Sequence, residues 1–108
     1  KGQFPVYIYA SDGEEIRARM YAPTAGTWED PATGSAASAL AALLLSLSRQ
    51  ESASYRISQG TELGRPSILK ARAWRRFGDC LAEVGGPCVH VLEGEACLQA
   101  RASLRVER

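Results

Sequence analysis

The sequence has almost no excess of charge of either sign. Thirteen Lys and Arg against twelve Asp and Glu leave a formal net charge of +1, too little for the long-range field that gathers nucleic acid or an anionic membrane. The densest basic stretch, residues 70–76, alternates its charges with Ala and Trp, so a solvated strand face accounts for it. Long apolar runs are lacking as well. The longest, residues 36–47, is broken by Ser38 and Ser46 and falls short of the ~18 residues a spanning helix needs. No secretory signal pattern is found at Lys1, and the missing initiator Met is expected of a chain trimmed or processed at its start. Cysteine is scarce: Cys80, Cys88 and Cys97 are odd in number, form no CxxC and sit among apolar or strand-forming neighbours. That fits small buried hydrophobes better than a disulfide framework or a metal set, and it suits a reducing cytoplasm.

What remains is the make-up of one folded domain. The 108 residues are 45% hydrophobic and 23% charged, and ten Gly with five Pro do not suggest disorder. A chain of this length can bury one modest core. No linker, low-complexity tract or internal repeat divides it, so residues 1–108 read as a single domain.

Residues 4–10 (FPVYIYA) are aromatic and β-branched, and the turn Ser11-Asp12-Gly13 leads into residues 16–21, where Ile16, Ala18 and Met20 alternate with Arg17 and Arg19. This predicts a β-hairpin. A loop rich in Pro, Gly and Thr follows over residues 22–34. Residues 35–47 then supply strong helix formers with no charge on any face, so the helix they form is expected to be enclosed by protein. Strand-like segments follow at residues 55–58, 67–74, 80–84, 88–92 and, less clearly, 96–102. One apolar helix with six or seven short strands predicts an α+β domain, a curved and mostly antiparallel sheet wrapped around one buried central helix.

The segment Glu29-Asp30-Pro31-Ala32-Thr33-Gly34-Ser35-Ala36 joins the loop to that helix. Its small residues let a ligand approach the backbone, and the first N–H groups of a helix have no internal acceptor. Such a terminus suits a carboxylate or phosphate. The plain alternative is that Thr33 or Ser35 merely caps the helix while Asp30 opens a turn before Pro31.

The run RMYAPTAGTWEDPATGSAASALAALL resembles the second-half signature of the phenazine-biosynthesis (PhzF-like) family, in which an RMFAP-like strand precedes EDPATGSA and an apolar helix. Two further elements follow in order: Ser58-Gln59-Gly60 through Gly64-Arg65-Pro66-Ser67 resembles the family's QG…GRPS element, and Val84-Gly85-Gly86 with Val89-His90-Val91 resembles its closing VGG strand pair. The resemblance implies half of a fold similar to diaminopimelate epimerase, whose two alike halves each wrap a sheet around a helix and meet at an active site between the helix N-termini. It implies a cofactor-independent isomerase acting by proton transfer on a small carboxylate-bearing metabolite. Asp30 and Ser35 then fall at catalytic positions, and Ala32, Thr33 and Gly34 at positions that hold the substrate carboxylate. The family's proton-shuttling glutamate and Gly-His histidine belong to the first half, which has no counterpart here. The partner is therefore a complementary N-terminal half or, as a homodimer, a second copy. A two-thiol epimerase mechanism would need a cysteine in the loop, and none is there.

A non-catalytic, anion-binding assembly module is the alternative reading. His90 sits in an apolar strand pattern that favours a structural role over a catalytic one. Arg65 is open between partnering Asp30 or an anion and beginning a solvated strand, and its setting between Gly64 and Pro66 predicts a fixed turn. Trp28 either lines the cleft or plugs the end of the domain.

Overall fold

The computed structural model describes residues 2–98. The described residues fold as an α+β domain with one six-stranded sheet and one α-helix. Strands β1 (Val6–Asp12) and β2 (Glu15–Tyr21) form the expected hairpin. Asp12 faces Glu15 across a turn in which Gly13 takes a φ of 62°, a left-handed value that glycine adopts without strain. A 3-10 turn at Pro23–Ala25 leads to the two-residue strand β3 (Glu29–Asp30), which pairs with Met20 and Tyr21 of β2. Helix α1 (Gly34–Ser46) comes next. Strand β4 (Ser52–Gln59), a 3-10 turn at Thr61–Leu63, β5 (Ser67–Arg76) and β6 (Asp79–Gly85) complete the sheet.

The strand order is β1-β2-β4-β5-β6 with β3 beside β2. All pairs are antiparallel except β2 and β4, which the helix connects as a crossover. The period-two pattern of the strands decides what the helix meets. Ile16 and Ala18 of β2, Ile57 of β4, and Leu69, Ala71 and Ala73 of β5 point inward against Ala37, Leu40, Ala41 and Leu45 of α1. The alternate positions carry the charges, and Arg56 pairs with Glu15 at 3.5 Å and Arg72 with Glu83 at 3.8 Å on the outer face. The basic stretch of β5 is thus a solvated face, with one exception. Arg75 turns inward and closes the C-terminal end of the helix, donating from Nη2 to the Leu45 and Ser48 carbonyls, both at 2.9 Å, and from Nε to Gln50 at 3.0 Å. A cation at that end satisfies orphan carbonyls and complements the helix dipole.

Several of these expectations are corrected. The helix is covered on one side only: Leu43 is 50% exposed, and Leu47 just past its end 76%, because one sheet layer can bury one helix face and the chain supplies no second layer among the described residues. Residues 88–92 form no strand, since an apolar alternating pattern becomes a strand only where a neighbour takes its backbone hydrogen bonds, and Val89, Val91 and Leu92 lie exposed. Residues 96–98 likewise have no regular structure, and the rest of the 96–102 segment lies outside the described residues. The cysteines divide: Cys80 is half-buried and packs against the core, whereas Cys88 and Cys97 are exposed, because the segment carrying them is not part of the sheet. No described helix is long and apolar enough to cross a membrane.

Candidate functional site

The loop that precedes α1 is held from below by the end of β4. Strand alternation places Tyr55, Ile57 and Gln59 on the inner face, and Gln59 is a polar side chain only 1% exposed. A buried primary amide is costly unless its hydrogen bonds are made. Here all are made: Nε2 donates to the Asp30 carbonyl at 2.8 Å and to Thr33 Oγ1 at 2.9 Å, while Oε1 accepts from the Thr33 N–H at 3.3 Å and the Tyr7 hydroxyl at 3.2 Å. Burial pushes the Tyr7 phenol up to about 12, which keeps it a donor throughout the neutral range.

Thr33 precedes the first helical residue. Its carbonyl accepts the Ala37 N–H at 3.0 Å, but its hydroxyl does not cap the helix and donates to Asp30 Oδ2 at 2.7 Å instead. The N–H groups of Gly34, Ser35 and Ala36 therefore have no acceptor among the described residues. The expected plain alternative, a Thr33 or Ser35 side-chain cap, is not the arrangement adopted. Ser35 lies exposed in the first turn, its carbonyl accepting the Ser38 hydroxyl at 3.0 Å. Ala32 and Gly34 line an open, largely apolar groove of about 560 Å³ with Ser67, Val84 and Gly86. The groove thus reaches the start of α1 through Ala32 and Gly34, and the half-buried Asp30 is tied to the same loop through the Thr33 hydroxyl.

Glu29, next to Asp30, is fixed by Arg19. The guanidinium grips it with both ends, Nε to Oε1 at 2.8 Å and Nη2 to Oε2 at 3.0 Å. That charge-assisted fork holds the Glu29 carboxyl below its ordinary value and raises Arg19, whose charge also lies 5.3 Å from the centre of the Tyr21 ring. The pair clamps β3 to β2 and so sets the entry of the loop.

Of the other residues raised by the sequence, Arg65 is exposed and makes no ion pair with Asp30; its N–H bonds the Gly60 carbonyl at 3.0 Å, so the fixed turn is a backbone feature. His90 lies in the irregular segment after β6, 4.0 Å from Glu93, away from any strand. Trp28 is 82% exposed and borders a shallow depression with Gln3, Pro23 and Thr27. Gln59, Tyr7 and the Arg19–Glu29 pair were not singled out as site residues. A signal for Gln59 existed, a polar residue at an inward strand position two after Ile57.

Comparison with known proteins finds a match to the family model for the phenazine biosynthesis-like protein (PhzC-PhzF) over residues 2–94. The chain is 40% identical over 99 residues to a trans-2,3-dihydro-3-hydroxyanthranilate isomerase of Pseudomonas aeruginosa, covering 86% of this chain and 34% of that protein. It is 46% identical over 69 residues to the enzyme of the same name in Pseudomonas chlororaphis, covering 63% and 25%. An uncharacterized isomerase of Deinococcus radiodurans is 47% identical over 95 residues, with 83% and 31% covered. The chain spans about a third or less of the length of these relatives.

Proposed function

The chain belongs to the phenazine biosynthesis-like protein family, and from that membership and the geometry of the loop we propose that it forms one wall of an isomerase active site. The reaction is a cofactor-independent proton transfer on a small metabolite bearing a carboxylate. The observation that carries this reading is the set of unbonded N–H groups at Gly34, Ser35 and Ala36 beside the anchored Asp30. Oriented amides at a helix start favour a carboxylate in the ground state and stabilise enolate-like charge as a neighbouring proton leaves. The compound in the names of the Pseudomonas relatives, trans-2,3-dihydro-3-hydroxyanthranilate, is a carboxylate of this class.

In this scheme Ala32, Thr33 and Gly34 present the backbone that receives the carboxylate. Asp30 and Ser35 are the groups of this chain that touch the reacting part of the substrate. Proton abstraction also needs a base matched to it. That base comes from a second wall, so the domain acts as half of a two-part fold similar to diaminopimelate epimerase, completed by a complementary half or a second copy. The face of α1 and residues 88–92 that no described residue covers or pairs support such a partner, because exposed apolar surface and unsatisfied strand-forming segments mark an interface.

Reconstitution tests the proposal. The chain is mixed with a first half taken from a family relative and isomerisation of the relative's substrate is followed. Asp30→Asn is expected to lower turnover by ~10²-fold or more, and Ser35→Ala by less. Equal turnover of the wild type and Asp30→Asn removes Asp30 from the mechanism.

A further inference from the structure

We propose that Gln59 is the positioning residue of this site: its amide fixes the direction of the Thr33 hydroxyl, which in turn fixes the Asp30 carboxylate. The inference rests on the reading of Asp30 as a substrate-facing group, but the geometry that carries it does not.

A primary amide offers two N–H donors on one side and two lone pairs on the other, and its two ends are told apart only by what they meet. Two of the partners of Gln59 are backbone groups with no choice of role. The Asp30 carbonyl can only accept, so it takes Nε2–H at 2.8 Å, and the Thr33 N–H can only donate, so it faces Oε1 at 3.3 Å. The amide orientation follows from these alone. Nε2 then has a second N–H, and it lies 2.9 Å from Thr33 Oγ1. That bond makes the Thr33 hydroxyl an acceptor on this side, and its single proton is left for the other short contact, Asp30 Oδ2 at 2.7 Å. The second lone pair of Oε1 is filled by the Tyr7 hydroxyl at 3.2 Å, so the amide has no unused bond that would let it turn over.

With Gln59 1% exposed, water does not compete for these positions. The consequence falls on the carboxylate. One Asp30 oxygen is occupied by a directed donor, and Oδ1 has no protein partner among the described residues. The relay therefore decides which oxygen is available to a ligand, from a side chain that touches no ligand itself. It also ties the site to β1, since Tyr7 on that edge strand holds the far end of the amide.

The test measures the χ1 rotamer of Asp30 in this chain from three-bond couplings between its backbone and Cγ, with thermal stability recorded alongside. The wild type and Thr33→Ser are expected to show one rotamer. Thr33→Val, which keeps the shape and loses the hydroxyl, is expected to show averaging. So is Gln59→Glu, in which a carboxylate cannot donate to Thr33 and draws its proton away from Asp30, and Gln59→Met, which removes the relay without adding charge. A single wild-type rotamer in folded Thr33→Val, or in either folded Gln59 variant, overturns the proposal. Should neither Gln59 variant fold, the wild type decides: the Thr33 hydroxyl proton must give its own slowly exchanging resonance with cross-peaks to the Gln59 amide protons, and a hydroxyl in fast exchange with water overturns the relay. These readouts need no substrate, so an inactive reconstituted enzyme with a fixed Asp30 sinks the isomerase reading and leaves the relay standing.

Discussion

Gly60 packs against Pro31 so closely that a Cβ at position 60 would come within 2.7 Å of the Pro31 carbonyl oxygen. The same Cβ would strike the carbonyl of Arg65, and Gly60 holds a φ of 80°, so position 60 has neither the space nor the backbone conformation for a side chain. This is where the QG…GRPS element and the DPATGS loop meet. Gly60→Ala is expected to destabilise the domain by about 1–3 kcal/mol from the left-handed backbone alone, with the clash in addition. For a domain of this size each kcal/mol lowers Tm by roughly 4–8 °C. Thermal unfolding of the variant checks it, and an unchanged Tm would show that the two segments are not in contact.

The Arg19–Glu29 fork predicts a particular response to acid. The fork lowers the folded-state value of Glu29 below its ordinary 4.5, so the unfolded chain takes up a proton at higher pH than the folded one. The contribution is fully present above about 4.5 and fades as the pH falls from there through the folded value. Denaturant unfolding of the wild type and Glu29→Gln at a series of pH values is expected to give a stability difference that is constant near neutrality and shrinks in acid. A difference that grows in acid would contradict the assignment.

The open face of α1 predicts association. Leu43 lies exposed on it and Leu47 just past its end, and Ala36, Ala39 and Leu43 border a groove of about 260 Å³ with Tyr7 and Tyr9 of the edge strand. Sedimentation equilibrium over a range of concentrations is expected to show self-association of the isolated chain, weakened by Leu43→Glu or Leu47→Glu and displaced by a complementary half. A chain that stays monomeric throughout, with or without that half, would count against a two-walled site.

The sequence made the hairpin, the helix and strands β4 to β6 legible because each follows from local pattern: alternation in β2 and β5, Gly13 at the turn, and a run of Ala and Leu after Gly34. Residues 88–92 carry the same alternation but find no neighbour among the described residues, and pairing is a property of the whole sheet rather than of the segment. The helix was expected to be enclosed because Ala and Leu surround it, yet composition alone does not say which molecule provides the second cover. Within the site, Asp30 and the small residues around Gly34 stood out through the helix start and the family motif. Gln59 stood only within the QG…GRPS element and not as a site residue, because its weight comes from meeting Asp30, Thr33 and Tyr7, residues 29, 26 and 52 positions away. Arg75 was hidden among solvated charges for the same reason, and only the fold brings it to the carbonyls of Leu45 and Ser48.

The central claim is that the start of α1 receives a carboxylate, and backbone amide resonances of the isolated chain report on it directly. A small monocarboxylate, acetate or benzoate, is titrated at constant ionic strength into labelled protein while every assigned N–H is followed. Saturable shifts are expected to be largest at Gly34, Ser35 and Ala36, where the amides are unbonded, and to persist in a control such as Arg72→Gln on the outer face. Shifts confined to the arginine side chains, or none that saturate at the helix start, would contradict the account.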